Sequence, residues 1–434
     1  MDDTLPRTAR RGAFLLTWYP VPVTFALMAD LILEVPGPEP RSVKLSSPDK
    51  VLWPGDDPIT KQGLAEYLLS VADPFLAING DRPMTLQRFP DGIEGEEFFS
   101  KRPPRGAPDY LRAVMCTYPS RRRHEQLVFD EPAELAWAAQ MGTITFHPWP
   151  VRTANLDNPD EFRIDLDPQP GRDFRDAVTA ALELRKVMAE NGLTAYAKTS
   201  GNRGIHVYAR IRPDHEFQDV RHAVIGIARE LERRMPDLVT TSWWKEERGE
   251  RVFVDFNQAN RDRTIAGAYS PRPLPGAPVS TPLTWDELPD ADPREFTVRT
   301  VPALLESRPC PWADMDEHVG DIAGALALWQ ADLDRGLGEL NFPPDYPKMP
   351  GEPPRVPPSK RKAIGPTRTT WLPRPSATRS GAPPSRRRTV RCWPSRSRSC
   401  LRATSCLSRN GTASAPSSGA PVTWWRSGRA TRAR

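Results

Sequence analysis

None of the five cysteines, at positions 116, 310, 392, 400 and 406, stands in a C-x-x-C pair. Their spacing offers neither a zinc site nor a disulfide framework, and the compartment expected is a reducing cytoplasm. Long apolar runs are scarce as well. The most apolar stretch, 13–34, lies behind Arg7, Arg10 and Arg11, but Pro20, Pro22 and Asp30 interrupt it. No clean membrane span or secretory leader results, and no membrane partner is expected. Met28 is read as the true start, with 1–27 an artefact of gene-start choice and 1–40 an N-terminal extension. Acidic residues vanish after Glu352. Segment 353–434 holds 19 Lys or Arg and no Asp or Glu, so residues 1–352 carry a net charge of −14 against +5 for the whole chain. A globally basic surface is thereby excluded from the ordered part, and any nucleic-acid site there has to be a local patch.

Proline is abundant. Fifty residues are proline, which implies much loop and linker, because proline interrupts helix and ladder hydrogen bonding. Residues 342–365 read as a proline-rich linker, and 342–434 as a disordered whole. The tail scatters Trp371, Trp393, Trp424 and Trp425 without a pattern. It is read as the product of a frame shift near residue 360 rather than as an evolved basic arm.

Between these ends the periodicities are legible. Leu64, Tyr67, Leu68, Val71 and Phe75 share one face of a helix predicted over 61–78. Leu127–Phe129 reads as a strand, and 131–141 as a helix with Pro132 in its first turn. Residues 162–167 alternate apolar and polar as a strand. A helix follows at 173–191, stopped by Gly192. Then come a strand at 194–199, a glycine-rich turn at 200–204, a strand at 205–211, a helix at 216–235 and a strand at 251–256. The order β-α-β-β-α-β is that of a ferredoxin-like or RNA-recognition-motif-like unit. From about 282 a short helical closing segment is expected, with a helix near 320–334.

Chemistry concentrates in this unit. Asp165 and Asp167 stand two apart on a strand, so both carboxylates project from one face. Like charges so close call for a cation between them, and hard oxygens select magnesium or manganese. Asp255 ends another apolar strand; were that strand a neighbour, three carboxylates would converge as two-metal phosphoryl transfer requires. The turn from Thr199 to His206 lies between two strands. Its glycines admit a close backbone approach, and Ser200, Arg203 and His206 can donate to phosphate oxygens. Phe98 and Phe99, followed by Lys101, Arg102 and Arg105, suit base stacking with nearby phosphate contacts. His147 is either a core histidine or a phosphate contact.

Nine segments, taken in order, resemble the polymerase domain of bacterial ligase D, the non-homologous end-joining enzyme, within the archaeo-eukaryotic primase superfamily. They are Asp49 to Pro54, Arg82 to Thr85, Glu97 to Lys101, Gly106 to Pro108, Phe146-His147, Asp165 to Pro168, Ser200 to His206, Val254 to Phe256, and Ala268 to Arg272. The resemblance spans about 41–305. It implies an α+β, archaeo-eukaryotic primase-like fold, with an RRM/ferredoxin-like catalytic unit at about 160–275 packed on an N-terminal α/β subdomain, and 306–341 as the closing segment. It implies two divalent ions, Mn2+ or Mg2+ with manganese favoured, on Asp165, Asp167 and Asp255. Ser200, Arg203, His206, His147 and Arg272 would contact the incoming NTP. Phe98 and Phe99 would stack on bases, and Lys50 and Lys61 would hold a DNA 5′-phosphate. Arg88 and Lys101 would contact the template. The partners implied are broken DNA ends, a Ku-type end-binding protein and a separate ATP-dependent DNA ligase. No ligase or nuclease domain is recognisable here, so sealing comes from another chain or the gene is truncated by the suspected frame shift; the location is the nucleoid. Ribonucleotides would be preferred. Two departures stand out. Arg203 replaces the lysine of many relatives, a planar fork for a point charge. Gln87 sits where some relatives carry a basic residue.

Two other function classes fit parts of the pattern. A non-catalytic end-bridging module would keep the fold without turnover, yet all three aspartates are present. A metal-dependent glycosyltransferase also uses D-x-D, but leaves the paired Phe and the two lysines unexplained.

Overall fold

The structure, a computed structural model, describes residues 30–340 apart from 38, 119–121, 262 and 264. The expectations for the start at Met28, the linker and the tail lie outside the described residues.

The N-terminal half begins with the hairpin β1 (Leu31–Val35) and β2 (Arg41–Leu45), then β3 (Val51–Trp53) and β4 (Ile59–Thr60). Next come α1 (Lys61–Ser70) and α2 (Ala72–Asn79). The sequence predicts one helix here. The break falls at Val71 (φ −106°, ψ 10°), because Pro74 has no N–H for the Ser70 carbonyl and its ring crowds that oxygen. The predicted face survives the break, since Leu64, Tyr67, Leu68, Val71 and Phe75 are all buried. Strands β5 (Pro83–Arg88), β6 (Phe98–Ser100), β7 (Arg112–Thr117) and β8 (Arg123–Val128) follow, then α3 (Pro132–Gln140) and β9 (Thr143–Pro148). Strand β5 pairs with β9 along one edge and with β6 and β8 along the other. One hydrophobic core joins this sheet to α1, α2 and α3.

The second half carries the predicted unit: β10 (Glu161–Pro168), α4 (Phe174–Glu190), β11 (Tyr196–Thr199), β12 (Ile205–Arg210), α5 (Phe217–Arg234), β13 (Val239–Thr240), α6 (Lys245–Arg248) and β14 (Val252–Asp255). Helix α4 starts where Asp173 accepts from the backbone N–H of Arg175 and Asp176 and the Asp176 side chain accepts from the Asp173 N–H, three backbone donors being satisfied at once. The sheet order is β13-β14-β10-β12-β11-β15, with β15 at Pro282–Leu283. Its four inner strands pair antiparallel in the ferredoxin-like order. The short β13, parallel to β14, has no counterpart in the sequence reading, as two residues carry no periodicity. The last predicted strand ends at Asp255, which caps a 3-10 turn at Phe256–Ala259. Helices α7 (Val301–Ser307) and α8 (Ala323–Asp334) close the unit, and α8 packs on α5. No helix among the described residues is long and apolar enough to cross a membrane.

A buried ionic network joins the halves. Arg82, at the start of β5, grips Asp160 through two nitrogens at 2.6 and 2.7 Å and reaches Glu161 at 3.0 Å. Arg210 on β12 meets Asp160 at 2.9 Å and Glu161 at 3.0 Å. Arg163 pairs with Glu161 and donates to the Pro148 carbonyl at 2.7 Å. Burial alone would raise the Asp160 carboxyl, but Arg82, Arg210 and Arg152 outweigh it and hold the group well below the usual carboxylate range.

Candidate active site

Strand periodicity sorts the six-stranded sheet into two faces. Phe162, Ile164 and Leu166 of β10, Ile205, Val207 and Ala209 of β12, and Val252 and Val254 of β14 join the core that α4, α5 and α8 cover. The alternate residues, Asp165, Asp167, Asp255, His206 and Lys198, therefore occupy the opposite face. Asp165 lies directly across from Asp255 in the β10–β14 pairing and across from His206 in the β10–β12 pairing. The neighbour relation that the sequence left conditional is thus present.

The donor chemistry suits a hard divalent cation: three carboxylates on adjacent strands of one face. The oxygens are not already drawn together. Among the described residues no group of three or more His, Cys, Asp or Glu side chains is gathered as a ligand set. Asp255 accepts from the Asn257 N–H at 2.8 Å and the Gln258 amide at 3.0 Å. Asp167 accepts from the Gln169 amide at 3.2 Å. Burial, then the charges of Asp255 and Asp167, push the Asp165 carboxyl up to about 8. Carboxylates held this way bind a cation readily, because it relieves their mutual repulsion.

Beside them the 200–204 turn is tightly built. Ser200 Oγ accepts from the N–H groups of Asn202 and Gly204 at 3.2 and 3.1 Å, leaving its hydroxyl proton to donate elsewhere. Gly201 has φ +73°, and a Cβ there would lie 2.5 Å from Arg272 Cγ; a Cβ on Gly204 would lie 2.6 Å from the Leu166 carbonyl. Arg272 Nη1 donates to the Ser200 carbonyl at 3.3 Å, and its Nε is buried without a partner. Arg203 is exposed at the turn. Gly204→Ala should therefore push β10 apart between Asp165 and Asp167. The expected result is a loss of about 1–3 kcal/mol of stability, read by thermal melting.

His147 is buried on β9, with its ring 5.8 Å from that of Phe99. Neither ring nitrogen makes a well-formed hydrogen bond. Burial, then Arg272, pushes its pKa down to about 3, against a weak pull from the Ile265 backbone. Phe98 and Phe99 are 40% and 49% exposed on their short strand.

The remaining predicted residues sit in separate settings. Lys50 and Lys61 come together at the β3–α1 corner, where the Lys61 N–H donates to the Lys50 carbonyl at 2.8 Å. Lys50 pairs with Asp91 at 2.7 Å. The Lys61 ammonium donates to the Ser46 carbonyl at 2.7 Å, and burial, then Lys50, lowers its pKa. Arg88 lies 4.7 Å over the Phe98 ring, with its Nε bound to the Met141 carbonyl at 2.8 Å. Lys101 lies 4.9 Å over the Tyr118 ring.

Sequence reasoning missed Lys198, fully buried and opposite His206, and the amides of Asn257 and Gln258 around Asp255. Lys198 left a signal: a lysine inside Tyr196–Thr199, in phase with the polar face. The amides left none, because nothing in the sequence marks a 3-10 turn folding back on its own cap.

Comparisons with known proteins agree with this architecture. The LigD primase-polymerase domain model matches residues 60–312. The multifunctional non-homologous end joining protein LigD of Pseudomonas aeruginosa is 33% identical over 299 residues, covering 68% of this chain and 35% of that protein. The bifunctional non-homologous end joining protein LigD of Bacillus subtilis is 30% identical over 290 residues, covering 66% of this chain and 46% of that protein. The chain thus spans about a third to a half of the length of these curated relatives. Among solved structures, the polymerase domain of Mycobacterium tuberculosis ligase D in complex with DNA is similar at a TM-score of 0.59 and 29% identity, covering 64% of this chain and 99% of that one.

Proposed function

Because the chain belongs to the LigD primase-polymerase family, we propose that it is a divalent-metal-dependent, template-directed nucleotidyltransferase that fills gaps at DNA ends in non-homologous end joining, with ribonucleotides preferred. The observation that carries the reading is Asp165 facing Asp255 across the strand pair, with Asp167 on the same face and His206 on the other flank. Asp165, Asp167 and Asp255 would hold two ions, manganese or magnesium, which when bound activate the attacking 3′-hydroxyl and stabilise charge on the transferred phosphate.

The chain's own groups do the positioning. Ser200 offers a hydroxyl proton, Arg203 and Arg272 offer guanidinium donors, and His206 and His147 offer neutral imidazoles; together they would orient the triphosphate. Phe98 and Phe99 would stack on the incoming or templating base. Arg88 and Lys101 would steady the template, with Arg88 stiffened by its bond to Met141. At a distance along the DNA, Lys50 and Lys61 would receive the 5′-phosphate of the gap. A Ku-type protein and an ATP-dependent DNA ligase activity are the partners proposed, in the cytoplasm at the nucleoid.

The test is extension of a gapped, 5′-phosphorylated duplex by the full chain with labelled ribonucleotides and manganese. Template-matched addition, lost in chelator, is expected. Binding without addition would instead favour an end-bridging module, which the intact aspartates argue against. Lys50→Ala should weaken binding to 5′-phosphorylated ends about tenfold, the worth of one charge-assisted hydrogen bond, and spare 5′-hydroxyl ends. Equal loss on both ends would reject the phosphate role. Since Asp91 already engages Lys50, Asp91→Asn should act in the opposite direction on phosphorylated ends.

A further inference from the structure

We propose that Lys198 is a positioning residue for nucleotide binding, whose buried ammonium fixes His206 as the imidazole tautomer protonated on Nε2. The proposal rests on the reading above, because it takes Asp165 as an ionised metal ligand.

Lys198 is fully buried on β11, directly opposite His206 on β12. Its Nζ has three partners: the Ala266 carbonyl at 2.8 Å, Ser280 Oγ at 2.6 Å and His206 Nδ1 at 2.5 Å. A carbonyl only accepts. The Ser280 hydroxyl donates to the Thr199 carbonyl at 2.7 Å, so toward Lys198 it accepts. An ammonium has three N–H donors and no lone pair. Three acceptors around it use every donor, and the third acceptor is Nδ1. The imidazole proton then belongs on Nε2, which lies 3.5 Å from Asp165 Oδ1.

The two ends of this chain of contacts agree. A carboxylate that ligates a metal only accepts, so the nitrogen facing it has to be the donor. The reverse sense would need a neutral amine at Lys198, a proton on Nδ1 and a protonated Asp165, and would turn a lone pair toward the nucleotide. Burial, then Arg272, pushes the Lys198 pKa well below its ordinary value, against Asp165 and Glu161, which favour its charge; the ammonium is assigned from the three acceptors around Nζ. Burial, then Lys198, keeps the His206 ring neutral, so that it carries a single proton whose position matters. With Nε2–H fixed, His206 offers the triphosphate a donor that needs no reorientation.

The experiment is long-range 1H–15N spectroscopy of the full chain labelled in its six histidines, with magnesium present and His206 assigned by the ring lost in His206→Gln. The expected spectrum has Nε2 protonated and Nδ1 bare. A proton on Nδ1 overturns the proposal, and this wild-type measurement needs no Lys198 variant to fold. In Lys198→Met, with folding checked by melting, the tautomer preference should be lost. The KM for the NTP should rise about ten- to a hundredfold, the range for one hydrogen bond to a charged group, with a smaller change in kcat. An unchanged tautomer together with an unchanged KM also overturns it. A wild-type chain that shows the Nε2 tautomer but extends no primer counts against the polymerase reading alone.

Discussion

Asp165→Asn should abolish primer extension, by about a thousandfold or more, while leaving the protein at least as stable as before. The first half follows from chemistry: a metal pair supplies several kcal/mol of transition-state stabilisation, and each 1.4 kcal/mol is a factor of ten in rate. The second half follows from electrostatics. Burial and the charges of Asp255 and Asp167 raise the Asp165 carboxyl to about 8. A carboxyl whose folded pKa is raised lowers stability as pH climbs above its unfolded value, so an ionisable group here is a burden near neutrality. Removing it relieves that burden. Extension assays with manganese, paired with melting curves in chelator, read both halves. Retained turnover would sink the metal assignment. A marked fall in melting temperature would show that Asp165 serves the fold rather than the site.

Arg82→Ala should be among the most destabilising single changes in the molecule. Arg82 is wholly buried and holds Asp160 and Glu161, which are themselves buried. Its loss leaves carboxylates in the interior without their principal partner, at a cost of about 3–5 kcal/mol. For a unit of this size that amounts to a fall of about 5–8 °C in melting temperature. The pH dependence has a definite sign. Asp160 and Glu161 have folded pKa values below their unfolded ones. The stability they contribute is present above the ordinary carboxylate range and drains away as pH falls through and below it. Arg82→Ala should flatten that acid limb. Denaturant titrations between neutrality and acid would measure it, and an unchanged slope would show that the network is not the source.

The two proposals draw on parts of the fold that were unequally legible beforehand. The β10–β14 unit could be read because its strands alternate cleanly and its helices carry one apolar face each. Asp165, Asp167 and Asp255 stood out for the same reason: acids in phase on apolar strands. Their being on neighbouring strands followed only through the ferredoxin-like reading of the whole unit, since local periodicity by itself does not encode strand order. The ionic network was invisible for a related reason. Arg82, Asp160, Glu161 and Arg210 look like surface charges until the chain brings opposite signs together. The break at Val71 was within reach, as Pro74 sits where a helix interior cannot accept it. Of the roles assigned by resemblance, the Lys50–Lys61 pairing is the one the structure enriches most, by adding Asp91 as a resident competitor for the ammonium.

One consequence of β10 concerns alignment. Along this single strand, Glu161 and Arg163 are locked to the other half of the molecule, and Asp165 and Asp167 follow in the same phase. A slide by one residue would send Ile164 and Leu166 to the catalytic side and sink both acids in oil. Glu161 and Arg163 upstream thus act as a stop peg, setting from two to six residues away which side chains share the face of Asp165 and Asp167.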